Sequence, residues 1–528
     1  MFNYLKKHKL SLIIVILTSV FSFSFEFTNP LFFKIIIDNI FINKELYYLN
    51  LVIAGIILFF FVSAISTYFN IYFLNKLEYS LYKDISEELY DKVLNSPINH
   101  ETNNVGDLMA RITGNVQIMS GIISQIFEMF MSLLMIFFPL IIMCYINSYL
   151  TLIIVSPCIL FLILNYFLGK KVEFYQSKVL AINGSLYSFL KDSLSVFLML
   201  KVFNLNNWSQ KKFVDKNSGY YDIGVKTGKF IALDNSLNFL FVSIFTILFI
   251  IIGGYMVIED SITLGTFVTF LTYINMFFSP ISRLSTLWMH YKSSLPAIDR
   301  INEIKEIKVE NSGDQKLNIT NGEISFNKVD FAYENNKILN NFNAKFNEGL
   351  NYIVGENGAG KSTIILLICG LYKVNKGIIT IDDQNINQIE STNLLSHVST
   401  VFSYPYLFKG SIYENILVGN LKANKEDVKE VCRLVELDGF INSKEEGYDY
   451  DVGEAGQFLS SGEGQKVALA RALIRNSPIL LLDEATKSID EETRNIINNI
   501  LNKLKNKTII VITHNLEEII PNSNVIKI

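Results

Sequence analysis

Long apolar runs without charge constrain this chain more than any other feature of its sequence. Leu49 to Leu74 contains no charged residue and is long enough to cross a bilayer. The charge-free run between Glu128 and Lys170 is long enough for two crossings joined by a short turn near residues 145–149. Half of all residues are hydrophobic and the mean hydropathy is positive, a combination that is unusual for a soluble protein. The sequence therefore predicts a membrane protein.

The remaining apolar segments bring the predicted number of spans to six. A first run follows the basic N-terminal stretch and continues to Phe33, without the small-residue cleavage site that follows a signal peptide. A last pair covers residues 235–258 and 261–282, separated only by Glu259 and Asp260. We therefore expect an all-α membrane domain of six helices.

Lysines predict the orientation of these spans. Three lysines precede the first span and ten lie between the fourth and fifth, whereas the joints after the third and fifth spans contain no lysine or arginine. Because basic loops stay inside, we expect a multi-pass protein of the cell membrane with both termini cytoplasmic and lipid as a partner. The formal net charge of −4 argues against nucleic acid as a partner.

Two connections on the predicted cytoplasmic side are too long for simple loops. They cover residues 75–118 and 170–229, and the first contains LEYSLYKDISEELYDKVL, in which apolar residues recur at helical spacing. We expect the membrane helices to continue well into the cytoplasm here. These extensions are either ordinary solvated helices or segments that reach a nucleotide domain.

A glycine-rich stretch in the second half predicts a phosphate site. GENGAGKST lies between the strand-like run LNYIVG and the helix-like run STIILLICGL, which is the context of a P-loop. Glycines let the backbone wrap the phosphates, and the helix N-terminus adds partial positive charge. We expect Lys361 to reach the terminal phosphates and Ser362 to ligate Mg²⁺. The predicted nucleotide-binding residues of this stretch are Gly355, Glu356, Asn357, Gly358, Ala359, Gly360, Lys361, Ser362 and Thr363.

Two further apolar strands end in residues suited to nucleotide hydrolysis. PILLLDEAT places Asp483 and Glu484 at the C-terminal end of a buried strand, where open α/β sheets bind ligands. We expect Asp483 to hold the Mg²⁺ shell and Glu484 to act as the general base for the attacking water. KTIIVITHN ends in His514, which we expect to hydrogen-bond the γ-phosphate or that water.

A serine-glycine turn between these elements predicts a second anion site. FLSSGEGQKVALARALIRN opens a strongly helical segment, and the N–H groups of its first turn are suited to a phosphate. A domain with a P-loop needs no second phosphate site of its own. The arrangement makes sense if two domains sandwich ATP, with the P-loop of each closed by the turn of the other.

Composition changes near residue 305. INEIKEIKVENSGDQKLNIT is polar, as is typical of a linker. We predict a transmembrane domain over residues 1–305, a linker over 306–317 and a nucleotide-binding domain over 318–528. The strand-like GEISFNKVDFAY ends in Tyr333, which is either a core aromatic or a residue that stacks on adenine. The predicted fold class is a multidomain membrane protein, in which a six-helix all-α domain with long cytoplasmic extensions precedes an α/β P-loop NTPase domain.

This ordered set of motifs resembles the ATP-binding cassette exporters of the half-transporter form, with six membrane helices fused ahead of one nucleotide-binding domain. The resemblance covers essentially the whole chain. It implies that Gly355–Thr363 is Walker A, Ile479–Glu484 is Walker B with its catalytic glutamate, and Ser488–Asp490 is the D-loop. It also implies a switch role for His514 and adenine stacking by Tyr333. VGEAG, ahead of the serine-glycine turn, looks like an exporter-type loop and implies export.

The chain departs from the family pattern in three places: the signature, the Q-loop position, and Lys487 and Ile489 near the D-loop, where the family usually has small residues. The signature usually written LSGGQ is LSSGE here, so the nucleotide contacts implied for this turn fall on Ser460, Ser461, Gly462 and Glu463. Glu463 adds a negative charge near the γ-phosphate. The family's Q-loop glutamine aligns with Ser403, which would hold Mg²⁺ through water but does not span the same distance. Coupling to the membrane half is the function that this change affects.

These departures leave two assemblies open. In one, a homodimer tolerates them and keeps two working sites, as the intact Lys361, Asp483, Glu484 and His514 favour. In the other, the chain pairs with a different half-transporter and supplies a weakened signature to one degenerate site. The resemblance implies an ATPase that exports an amphipathic small molecule, lipid or peptide by alternating access. An ATP-gated channel or regulator is the alternative.

Overall fold

The computed structural model describes residues 2–42, 46–97, 105–156, 158–307, 313–333, 336–485, 489, 491–504, 506–514, 519–521 and 523–528. The chain divides into two compact units, which are described separately. The membrane unit contains Met1–Leu94 and Asn104–Ile307, and the nucleotide unit contains Lys308–Ile528 together with Asn95–Asn103.

The membrane unit is helical. Its α-helices are α1 Phe2–Lys7, α2 Lys9–Ile35, α3 Leu46–Leu94, α4 Val105–Ala110, α5 Val116–Ile146, α6 Ser148–Val155, α7 Cys158–Ser195, α8 Phe197–Val202, α9 Asn206–Ile258 and α10 Leu264–Glu306. Short π-helical segments follow α2 and α4, at Ile36–Ile42 and Arg111–Asn115.

Six helical stretches within the described residues are long and apolar enough to cross a membrane, which confirms the predicted number of spans. α3 has 49 residues and α9 has 53. At about 1.5 Å per residue these helices are roughly 74 and 80 Å long, against a hydrocarbon core of about 30 Å. The prediction that membrane helices extend far beyond the bilayer is therefore confirmed.

The turn between the third and fourth spans lies at Asn147, inside the predicted interval. Its backbone leaves the helical region, with φ −157° and ψ 105°, and this ends α5. Its side-chain oxygen accepts a hydrogen bond from the Leu150 N–H at 3.1 Å and so begins α6. One asparagine therefore both stops a helix and caps the next, which is why so short a turn suffices.

The nucleotide unit contains two sheets. A five-stranded parallel sheet has the order β6-β7-β8-β3-β9, and a four-stranded antiparallel sheet has the order β2-β1-β4-β5. The strands are β1 Ile324–Tyr333, β2 Asn336–Phe346, β3 Gly349–Val354, β4 Lys376–Ile381, β5 Gln384–Asn385, β6 Val398–Val401, β7 Ile479–Asp483, β8 Thr508–Ile512 and β9 Asn524–Lys527.

Helices flank these sheets. They are α11 Lys361–Ile368, α12 Ser391–Ser396, α13 Ile412–Leu417, α14 Lys425–Leu434, α15 Asp438–Asn442, α16 Ser461–Ile474 and α17 Glu491–Lys503, with single 3-10 turns at Ile386–Gln388, Gly447–Asp449 and Glu454–Gly456. Every residue of β7 and β8 is buried, because apolar clusters cover both faces of the parallel sheet. This explains why both strands are nearly continuous apolar runs in the sequence.

Candidate nucleotide site

The carboxyl edge of the parallel sheet brings together the three motifs that the sequence places far apart. In the register of the sheet, Ile512 at the end of β8 lies beside Ile353 of β3 and Asp483 of β7. The P-loop follows β3, Glu484 follows β7 and His514 follows β8. The chain therefore presents its glycine-rich loop, its acidic pair and its histidine at one edge, where parallel sheets bind ligands.

The P-loop ends in a left-handed residue and a short helix. Gly358 and Gly360 have φ values of 85° and 94°, which side chains other than glycine rarely adopt. Gly360 immediately precedes α11, and Lys361 is its first residue. The Lys361 Nζ donates hydrogen bonds to the carbonyl oxygens of Gly355 and Glu356, each at 2.9 Å, although the residue is only 6% exposed. The ammonium group therefore lies inside the curve of the loop.

Ser362 and Asp483 come together at this edge. The Ser362 Oγ donates a hydrogen bond to the Asp483 Oδ1 at 3.0 Å, and Asp483 is 7% exposed. A hydroxyl and a carboxylate beside a phosphate loop are the hard oxygen ligands that Mg²⁺ prefers. The donor set therefore fits this ion. Ser403 lies two residues beyond the end of β6, next to β7, and its side chain is exposed.

Glu484 has a strained backbone, with φ 47° at a residue other than glycine. Its N–H donates to the Ile512 carbonyl at 3.2 Å, so β8 holds the peptide in place as the chain leaves β7. Positive φ costs about 1–3 kcal/mol and persists where surrounding structure imposes it. The carboxylate is thereby directed by a fixed backbone, not by a flexible loop.

Tyr333 and His514 are two further residues that the sequence predicts to contact the nucleotide. Tyr333 ends β1, and its hydroxyl is 3.3 Å from the Thr363 Oγ1 on α11. Its ring packs edge-on against Phe331 and Tyr372, with centroid distances of 4.9 and 5.2 Å. The position beside the P-loop helix is compatible with adenine stacking. His514 is exposed, directly after β8.

At the other end of α11, the thiol of Cys369 is buried. Burial raises the pKa of this thiol to about 11, so it stays neutral near pH 7. Cys369 therefore acts as a packing residue and adds no charge to the phosphate site.

A capping box closes the signature turn at the start of α16. The Ser460 Oγ accepts a hydrogen bond from the Glu463 N–H at 3.3 Å, and the Glu463 Oε2 accepts one from the Ser460 N–H at 2.7 Å. The resemblance implies nucleotide contacts for both residues, and in the structure they also bond each other. The pattern S-x-x-E, which predicts such a box, was present in LSSGE. The carboxylate occupies part of the helix N-terminus that an anion would use.

Sequence reasoning missed the residues that hold the segment between β6 and α13. The Asn415 side chain bonds both the N–H and the carbonyl of Phe408, at 2.9 and 2.8 Å. Arg471 on α16 donates to the Asn415 carbonyl at 2.7 Å and to the Tyr406 carbonyl at 2.6 Å. Burial lowers the pKa of the Arg471 guanidinium, which is largely enclosed by these acceptors. The available signal in FLSSGEGQKVALARALIRN was Arg471, a basic residue inside the apolar run VALARALI.

The fold and the site together define a membrane-embedded P-loop ATPase. Residues 12–281 match the family model of the ABC transporter transmembrane region, and residues 339–487 match that of the ABC transporter. The chain belongs to the ATP-binding cassette transporters: it is an ATP-hydrolysing transporter with six membrane helices and one nucleotide-binding domain. The D-loop residues Ser488 and Asp490 lie outside the described residues.

Relatives of this chain are exporters. It is 28% identical over 495 residues to the ATP-dependent lipid A-core flippase of Syntrophus aciditrophicus, covering 92% of this chain and 82% of the relative. It is 28% identical over 540 residues to the putative multidrug export ATP-binding/permease protein YgaD of Bacillus subtilis, covering 98% and 92%. The solved structure of a bacterial Atm1-family ABC exporter with ATP bound has the same fold, with a TM-score of 0.84 at 23% identity, covering 98% of this chain and 94% of that one.

Proposed function

We propose that this chain forms one half of a dimeric exporter that moves an amphipathic substrate from the cytoplasm or inner leaflet outward by alternating access. One observation carries the proposal. The nucleotide unit presents two helix N-termini that can bind phosphate, α11 behind the P-loop and α16 behind Ser460, the second partly occupied by the Glu463 carboxylate. Two such units placed head to tail would close each ATP between the P-loop of one chain and the signature turn of the other.

Residues at the carboxyl edge of the parallel sheet have different roles in ATP hydrolysis. Lys361 exchanges its bonds to the loop carbonyls for phosphate oxygens and stabilises their charge. Ser362 and Asp483 would hold Mg²⁺, with Ser403 reaching it through water, and the bound ion would offset phosphate charge. Glu484 accepts a proton from the attacking water, and His514 orients the γ-phosphate.

ATP drives the transport cycle because it binds the two states unequally. A ligand shifts a conformational equilibrium only by its difference in affinity for the two states. An ATP molecule that contacts two chains in the closed dimer, but only one in the open dimer, has such a difference. Closure would then favour the outward-open state, and hydrolysis would reset it.

Ion pairs join α4, the π-helical segment Arg111–Asn115 and α10 within the membrane unit. Arg111 pairs with Asp107 at 2.6 Å and with Glu303, near the end of α10, at 2.5 Å. The Arg111 guanidinium also donates to the Arg300 carbonyl at 3.2 Å. These contacts support helix extensions that move as one body when the nucleotide units close.

A cavity of about 490 Å³ within the membrane unit supports an amphipathic substrate. None of its lining residues is charged: the polar ones are Asn29, Thr272, Asn275 and Ser279, and methionines lie beside them. Asn275 is exposed, about 17 Å along α10 from Leu264. Polar groups at membrane depth face water, substrate or protein in preference to lipid. The relatives named for lipid and multidrug export point to the same class of substrate.

The orientation rests on the lysines of residues 170–229, which lie on α7, α8 and α9, and on those of residues 6–9. With these lysines inside, both termini and the nucleotide unit are cytoplasmic, where ATP is available. The cell membrane is the compartment that this orientation supports.

The purified chain tests the proposal. A homodimer in proteoliposomes is expected to hydrolyse ATP without any second protein and to accumulate a lipid or drug-like probe against its gradient in inside-out vesicles. The Glu484→Gln variant is the matched control. Passive flux that needs ATP but persists in this variant would identify a gate instead of a pump. Absence of ATPase activity in the purified chain, restored by a different half-transporter, would identify an obligate heterodimer.

Restoring the consensus residue tests whether Glu463 weakens the site. Glu463→Gln is expected to lower the KM for ATP about two- to five-fold, because it removes a negative charge that competes with phosphate at the N-terminus of α16. Such a charge is worth about 0.3–1 kcal/mol. Glutamine can keep the capping box, so the loss of charge is the main change. Steady-state ATPase assays measure the KM.

The matched control for Glu463→Gln is Glu414→Gln. Glu414 forms the same capping box with Ser411 at the start of α13. This control is expected to leave the KM unchanged. An equal shift in both variants would show that helix capping, not charge at the signature turn, sets the KM.

A further inference from the structure

The segment of residues 402–408, which we name the Ser403 loop, lies at the nucleotide edge. It follows β6, whose last residue, Val401, is paired with Leu482 of β7, one residue before Asp483. The loop is therefore next to the residues that would hold Mg²⁺. Its attachment to the rest of the unit determines how it responds to ATP.

One buried side chain of α16 holds the start of this loop. Gln465 is 2% exposed, and its Nε2 donates hydrogen bonds to the Ser403 carbonyl at 2.7 Å and to the Phe402 carbonyl at 3.2 Å. Both hydrogens of the amide are thus used on two successive carbonyls. The bonded groups are more than sixty residues apart in the chain.

Two further contacts join the same helix to the same loop. A Cβ on Gly464 would lie 3.1 Å from the Pro405 side chain, so this glycine allows α16 to lie close against the loop. Arg471 donates to the Tyr406 carbonyl at 2.6 Å. Three successive points of attachment make the loop follow α16 as one body.

Packing alone does not explain why residue 465 carries an amide. Its Oε1 has no hydrogen-bond partner among the described residues, and burying an unpaired amide oxygen is unfavourable. Methionine has the same length and would avoid that cost. The position keeps an amide whose two donors fix the loop backbone, which indicates a positioning role.

We propose that Gln465 is a positioning residue that links the two ATP sites of the dimer. The inference rests on the proposed dimer, in which the N-terminus of α16 contacts the nucleotide held by the partner chain. A shift of α16 on that nucleotide moves the Ser403 loop through Gln465, beside the chain's own P-loop nucleotide. Binding at one site thereby changes the geometry of the other.

Gln465→Met in the full-length protein tests this link. The wild type is expected to hydrolyse ATP cooperatively, with a Hill coefficient well above one. The variant is expected to fall to a Hill coefficient near one, with kcat reduced several-fold and its melting temperature unchanged or raised. A purely structural role predicts a lower melting temperature with cooperativity intact.

Lys466→Met is the matched control. Lys466 is the next residue on α16, and its Nζ donates to the Glu436 carbonyl at 3.3 Å, away from the Ser403 loop. This control is expected to keep the wild-type Hill coefficient. A wild-type coefficient of one, or an unchanged coefficient in Gln465→Met, would overturn the inference. Loss of all ATPase activity in the wild-type homodimer would instead refute the proposed homodimer.

Discussion

Replacing Glu484 by glutamine is expected to reduce ATP hydrolysis about 10²–10⁴-fold, the range that a general base contributes. Glutamine has the same size but accepts no proton from water. The strained φ of 47° fixes the backbone on which this side chain stands, so the amide should occupy the place of the carboxylate. Phosphate release assays on the purified protein measure the effect.

ATP binding should survive this change, because the proposed phosphate contacts are Lys361 and the P-loop backbone. The variant is therefore expected to accumulate with ATP bound and its two nucleotide units closed, which cross-linking across the dimer detects. Glu492→Gln, at the exposed start of α17, is the control and should hydrolyse ATP at the wild-type rate. Retention of more than a tenth of the activity in Glu484→Gln would remove Glu484 from the role of general base.

The strand ends at the nucleotide edge were predictable because they follow from local pattern. β7 and β8 are apolar runs that end in polar residues, and parallel strands place their carboxyl ends at one edge. The juxtaposition of Asp483 with Ser362 follows from that rule together with the P-loop spacing. Likewise, charge-free runs were sufficient to count six spans, since hydrocarbon thickness sets their length.

Contacts between residues that are far apart in the sequence were not predictable in this way. Gln465 meets Ser403 only because α16 packs beside the segment after β6, and no periodicity in either stretch encodes that meeting. Arg471 and Asn415 were missed for the same reason. The capping box at Ser460 differs, because its S-x-x-E pattern is local.

These contacts show how Ser403, the residue at the Q-loop position, is held. The resemblance implies that Ser403 cannot span the same distance as the family's glutamine and that this change affects coupling to the membrane half. The structure adds that the backbone of Ser403, rather than its side chain, is held by α16. A movement of α16 thus reaches this loop without a glutamine at residue 403. Under the proposal above, the amide of Gln465 passes such a movement of α16 to the Ser403 loop.

Replacing Lys361 by methionine is expected to weaken ATP binding about 10- to 100-fold, since a hydrogen bond to a charged group is worth about 1.5–3 kcal/mol. The lysine is 6% exposed, and methionine fills much of the space of its aliphatic stem. The carbonyls of Gly355 and Glu356 lose their donor, but water can reach the loop from the nucleotide side. The fold should therefore survive, and the loss should appear in affinity.

Titration with a fluorescent ATP analogue measures this affinity, and thermal melting checks the fold. Lys376→Met, at the exposed start of β4 in the antiparallel sheet, is the control and should bind as tightly as the wild type. The two lysines differ in position, since only Lys361 donates into the curve of the P-loop. Equal dissociation constants for Lys361→Met and the wild type would mean that the backbone and helix N-terminus hold the phosphates alone. The ammonium group would then act only in the transition state, and its loss would appear in kcat instead of in binding.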